Sequence, residues 1–218
     1  MQDKRAIDAL VNIFNPLPVV EAGDELEISD LVRLLCPPVV DVVQPTALIE
    51  RYKMISSIAT EPFMLPPLPI LVEKVVSPLI YSKVAFVAGN PLGTIALCGF
   101  VAEMIALLLY EMAHDDGLIA DVAKDGFEGC LQTKRVRILY DRSIIDQKTK
   151  SAFDLIRDVR DRYLHLISED HSFVFDDALR VYARSISLLV GLVGQEFRNG
   201  AWVPKPSFAR YLRKRGLL

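Results

Sequence analysis

The stretch from Val84 to Tyr110 constrains this chain more than any other: Glu103 is its only charged residue, over a length sufficient to cross a bilayer. Its interior argues for a corner instead. Gly89, Asn90, Pro91 and Gly93 interrupt the apolar run, and Asn90-Pro91 supplies an N-cap residue and a proline suited to a first helical turn. The pattern predicts two apolar helices, the second over Leu92 to Met112 with Glu103 near its middle. A carboxylate in that position costs roughly 2.5 to 3.5 kcal/mol in lipid, so no membrane span is expected.

Hydrophobic residues make up 51% of the 218. That share requires a well-filled core or a buried subunit contact, and it excludes disorder for most of the chain. The net charge of −3 gives no global attraction to nucleic acid, so phosphate binding would need a local basic patch. Arg213, Lys214 and Arg215, after Trp202 and Arg210, supply one. Cys36, Cys98 and Cys130 have no metal-like spacing, and the charged opening MQDKRAIDAL has no signal-peptide apolar run. A cytoplasmic protein is the expectation.

Along the chain, residues 1–68 read as a short helical extension. Ile7, Leu10, Val11 and Phe14 share one face, Pro45 opens a helix over Ala47 to Ile58, and Pro62, Pro66, Pro67 and Pro69 form an extended connector. Residues 69–200 read as a helical domain, and 201–218 as a basic tail. Within the domain a helix runs from Ile70 to about Ala88, kinked or restarted at Ser77-Pro78. After the Leu92 to Met112 helix comes a glycine-bearing excursion, with a basic stretch from Lys134 to Arg142 suited to a short helix. A third long helix is expected from Asp146 to Ser168 on the stripe Ala152, Ile156, Val159, Tyr163 and Leu166. A fourth runs from Phe175 to Phe197, with apolar residues dense enough for a core and a subunit contact. Strand alternation of useful length is lacking, so the fold class is all-α, an up-and-down helical bundle.

Some constellations carry no chemistry on this reading. Gly89 to Gly93 lacks the spacing and the lysine of a phosphate loop. Cys98 sits in the most apolar helix and reads as an inert core thiol. His114-Asp115-Asp116 offers metal-ligand types, but only His165 and His171 follow it, and it reads as a polar helix end. No metal and no cofactor is expected.

Arg160-Asp161-Arg162-Tyr163-Leu164-His165 is different. At about 100° per residue, Asp161 and His165 project to one face, away from the apolar stripe, with Arg160 at its flank. A surface of salt bridges, Arg157 with Asp161 and Asp158 with Arg162, accounts for the charges but not for the histidine or the remaining arginine.

These residues resemble the motif of HEPN domains, helical bundles whose ribonuclease members carry an arginine, a polar residue directly after it, and a histidine four to six residues on. Arg160, Asp161 and His165 fill those places. The Ala-Gly-Asn corner, the run Thr94-Ile95-Ala96-Leu97-Cys98-Gly99 and Glu103 are similar to the first hairpin of such domains, and the likeness spans Ile70 to Arg198. Asp161 stands where asparagine is commoner in the family. The resemblance implies a HEPN-like bundle acting on RNA as a metal-independent endoribonuclease of toxin or defence type. Arg160, His165 and Asp161 would be its catalytic residues, and Arg157, Arg162 and the C-terminal cations would contact RNA. It also implies a homodimer bringing two motifs into one cleft, and a cognate antitoxin or regulatory protein as a partner. Two other classes stay open: a non-catalytic HEPN-like binding or scaffold module, and a membrane-associated helical protein.

Overall fold

Prolines set where several helices start. Pro45, Pro69, Pro91 and Pro206 each occupy the first position of a helix, where the missing N–H would have no intrahelical partner. The computed structural model describes residues 45–58, 65, 68–165, 172–198 and 201–216, with only the backbone of 165, 195–198 and 201–202. The expected face of Ile7 to Phe14, Cys36, His171, Leu166 and the prolines at 62, 66 and 67 lie outside these residues.

The chain is all-α in class. Its elements are α1 (Pro45–Ser56), α2 (Pro69–Leu71) leading through a π-helical turn (Val72–Val76) into α3 (Ser77–Val87), then α4 (Pro91–Asp115) and α5 (Lys124–Glu128). After them come α6 (Gln132–Asp141), α7 (Gln147–His165), α8 (Val174–Val193), the strands β1 (Gln195–Arg198) and β2 (Ala201–Pro204), and α9 (Pro206–Lys214). The π turn explains the expected irregularity at Ser77-Pro78. Pro78 cannot donate to the carbonyl four residues back, and its ring crowds that position, so the turn before it widens and Ser77 N–H bonds to Val72 O.

The corner between α3 and α4 is as the sequence suggests. Gly89 takes φ +84°, and Asn90 N–H reaches Ala85 O at 2.8 Å while Gly89 N–H reaches Phe86 O at 3.0 Å, closing α3. Asn90 then caps α4 by accepting from Gly93 N–H at 2.8 Å. Inside the hairpin, buried Thr94 donates its hydroxyl to Ser82 O at 3.0 Å. α4 is long and apolar enough to cross a membrane by length and composition. Here it is the central helix, packed by α3, α6, α7, α8 and α9. Ile95, Cys98, Val101 and Ile105 on α4 are fully buried, against a core that includes Phe86, Phe153, Ile156, Val181 and Leu189.

That core runs across the boundary expected at residue 68. Leu48 and Ile55 of α1, with Leu65 and Leu68, belong to the same cluster, and Arg51 of α1 donates to Val87 O at 2.8 Å at the α3–α4 corner.

The structure also corrects the fourth helix. α8 ends at Val193, not at Phe197, because Gly194 takes a positive φ of 52° and the chain turns into a hairpin pairing Gln195 with Pro204 and Arg198 with Ala201. The basic residues that follow are likewise no free tail. Phe208, Tyr211 and Leu212 of α9 are buried in the common core.

Candidate functional site around Arg160

Asp146 opens α7 by accepting from Thr149 N–H at 2.7 Å, and the buried stripe Ala152, Phe153, Ile156, Val159 and Tyr163 fixes which way the helix faces. This rotation leaves Arg160 half-buried over α4. Its stem lies across Gly99, where a Cβ would sit 2.7 Å from Arg160 Cδ, so a side chain there would have to push the arginine stem aside.

One turn on from Gly99, Glu103 meets the guanidinium. Arg160 Nη1 donates to Glu103 Oε1 at 2.6 Å, while Nε and Nη2 both donate to Asp161 Oδ1, at 3.2 and 3.1 Å. The other carboxylate oxygen of Glu103 stands 3.8 Å from Arg135 Nη1, from α6. Arg135 is itself anchored, donating Nε to Phe127 O at 3.1 Å and Nη2 to Glu128 O. Partial burial opposes the charge on Arg160, but the bonds to Glu103 and Asp161 outweigh it and raise its pKa above the ordinary arginine value. The group is a fixed cation. Beside it, Gln132 Nε2 approaches Ala102 O at 3.4 Å, and its buried Oε1 has no hydrogen-bond partner among the described residues.

The remaining residues singled out in the sequence divide. Asp161 is on the arginine edge of the site, and His165 is the last residue of α7, its side chain outside the described residues. The expected salt-bridge registers are replaced. Arg157 pairs with Asp154 at 2.8 Å and Asp158 at 2.6 Å, not with Asp161, which holds Arg160. Arg162 turns to α8, where Asp177 is buried and takes Arg162 at 3.3 Å, Arg180 at 2.8 Å and the Tyr163 hydroxyl at 2.9 Å. A buried carboxylate draws cations more strongly than the exposed Asp158 does.

Lys214 and Arg215 lie far from this site, on the end of α4. Lys214 Nζ donates to Asp115 O and stands 3.7 Å from Asp116. Arg215 bonds Asp115 at 2.7 Å and approaches Glu111 at 3.4 Å. Arg213 is exposed.

His114 is exposed at the same helix end, its ring 5.7 Å from that of Tyr110. Among the described residues no group of three or more His, Cys, Asp and Glu side chains is arranged to hold a metal. Cys98 is fully buried, and burial pushes its thiol up to about 11 despite bonds from Ser185 and Ser82, which keeps it protonated at neutral pH.

Sequence reasoning missed what holds Arg160. Glu103 counted there against a membrane span and for a family resemblance, yet a single carboxylate in an apolar helix also demands a cation, and Gly99 four residues earlier marks where one crosses. No family model, curated protein or solved structure matches this chain.

Proposed function

We infer that this chain is a metal-independent endoribonuclease of HEPN type, with Arg160 and His165 as its working groups in a site completed by a second copy of the chain. One observation carries the reading. Of the five N–H bonds of a guanidinium, Arg160 commits three to Glu103 and Asp161, which leaves one on each terminal nitrogen of a fixed cation. Such a fork suits two oxygens of a phosphate.

The chemistry follows from the substrate. A ribose 2′-oxygen attacks the neighbouring phosphorus as its proton passes to a base; the bond to the 5′-oxygen breaks, and that oxygen takes a proton from an acid. The products are a 2′,3′-cyclic phosphate and a 5′-hydroxyl. A histidine, with an ordinary pKa near 6.5, suits either proton transfer, and this role falls to His165. Arg160 stabilises the charge that gathers on the phosphorane oxygens. Five positions on one helix separate the two groups by roughly 140°, so a two-fold dimer supplies the complementary half. On this reading the protein acts on RNA in the cytoplasm, with a cognate antitoxin or similar protein as its regulator.

A specific observation favours a second reading. Glu103 and Asp161 already neutralise Arg160 within one chain, as expected in a non-catalytic module that uses the same bundle to bind a protein or nucleotide. Cleavage of single-stranded RNA in EDTA separates the two. The ribonuclease should leave cyclic-phosphate ends, and His165→Ala or Arg160→Ala should lower the rate about 10²-fold or more while circular dichroism stays unchanged. Equal cleavage by wild type and His165→Ala would remove the catalytic assignment, and no cleavage by wild type would favour the binding module.

A further inference from the structure

Away from Arg160, the C-terminal ends of α4 and α8 and the start of α9 line a half-open cavity of about 210 Å³. One side of it is hydrocarbon, and Ser143 and Ser207 add polar lining. Leu109, Met112 and Ala113 come from one face of α4 at i, i+3 and i+4 spacing, with Ile144 and Leu192 beside them. Its mouth is charged, carrying Lys205, Arg210 and Asp116.

Among the described residues the charges at the mouth do not cancel. Asp116 is matched by Arg210, 2.8 Å away, and approached by Lys214 at 3.7 Å. Lys205 is exposed and has no carboxylate partner among the described residues. It is nonetheless fixed at its base. Its N–H bonds Val193 O at 2.8 Å and Gly194 O at 2.7 Å, and its Cβ lies 2.8 Å from the point where Gly194 would carry a Cβ. The stem of Lys205 is therefore held at the rim of the pocket, with its ammonium group in solvent reach.

We propose that this cavity is a binding site for a small apolar monocarboxylate, aromatic or short-chain aliphatic, with its hydrocarbon against Leu109, Met112 and Ile144 and its carboxylate at Lys205. The size fits, since an apolar cavity of about 150 Å³ already takes up benzene, and about 210 Å³ with an open mouth leaves room for a carboxylate as well. The surplus cation selects an anion over a neutral ligand of the same shape. The apolar side formed by Leu109, Met112 and Ile144 selects a hydrocarbon body over a bare anion such as phosphate. The site is independent of the ribonuclease reading.

The experiment titrates the full chain with benzoate, benzyl alcohol and inorganic phosphate, reading thermal midpoint and heat of binding. Benzoate should bind saturably and about tenfold more tightly than benzyl alcohol, which lacks the charge, and phosphate should bind weakest. Lys205→Met, which keeps the stem on Gly194, should weaken benzoate about tenfold and leave benzyl alcohol unchanged. Ala113→Leu should fill the cavity and abolish binding of both. Because Lys205 is exposed, Lys205→Met leaves the fold intact and decides the matter even if Ala113→Leu does not fold. Benzoate binding no tighter than benzyl alcohol, phosphate binding as tightly as benzoate, or unchanged benzoate affinity in Lys205→Met would each overturn the proposal.

Discussion

Arg160 and Glu103 stand 57 positions apart in the chain and 2.6 Å apart in space, joined over the bare backbone of Gly99. The three residues form one device: the glycine brings α7 close, the carboxylate orients the guanidinium, and the arginine relieves a charge on the most apolar helix.

Gly99→Ala tests the device directly. Its methyl group would meet the middle of the Arg160 stem, whose far end is held by Glu103 and Asp161, and overpacking of this kind costs about 1 to 3 kcal/mol. Glu103→Gln keeps the shape and removes the charge. Chemical denaturation should show Gly99→Ala losing stability, while a double-mutant cycle on Glu103→Gln and Arg160→Gln should show coupling of about 0.5 to 3 kcal/mol. Zero coupling would mean that the pair does not position the guanidinium.

Asp177 offers a second test, at the far end of α7. Its side chain, 5% exposed, accepts from the Tyr163 hydroxyl and meets Arg162 and Arg180, so it ties the last turns of α7 to the start of α8. Asp177→Ala removes the buried acceptor shared by Tyr163, Arg162 and Arg180 and should cost about 2 to 4 kcal/mol, whereas Asp177→Asn, which retains an acceptor, should cost less. Hydrogen exchange should report the loss first in the backbone amides near Arg162 and Tyr163. If both variants unfold at the wild-type midpoint, the hub has no structural weight.

The clasp between α9 and the end of α4 should respond to acid. The bond from Arg210, opposed by some burial, depresses the Asp116 pKa below the ordinary 3.8. A depressed carboxylate contributes stability that is complete above the unfolded value and lost as pH falls through the folded one, so the loss belongs below about pH 4. Salt should weaken the clasp at neutral pH. Asp116→Asn should remove about 0.5 to 1 kcal/mol and flatten the acid limb of a thermal-midpoint profile. A variant whose acid limb overlays that of the wild type would assign the acid sensitivity to other carboxylates.

Helical periodicity made the bundle readable. The apolar stripe of α7, the Asn90-Pro91 start of α4 and the interruption at Ser77-Pro78 are local signals, and the structure shows a physical cause for each. The hairpin after α8 is also marked locally, by Asn199-Gly200 between two short segments, but the apolar series of the preceding helix runs up to it and masks the signal. The partners of charges were not readable. Arg162 choosing Asp177 over Asp158, and the basic C-terminal residues choosing Glu111, Asp115 and Asp116, depend on burial that arises only when distant helices meet. Glu103 as the anchor of Arg160 lies between these cases, since the need for a partner was written in the sequence but not which partner it would be.

The clasp also sets an order of events during synthesis. Asp116 waits 94 residues for Arg210, and Glu111 waits 100 for Tyr211. At about 5 to 20 residues per second, this leaves the end of the central helix without its last covering for roughly 5 to 20 s, after α7 and α8 have emerged to cover the rest of its length. Its apolar surface near Leu109 and Met112 is thus the part of the nascent chain that a chaperone would meet longest.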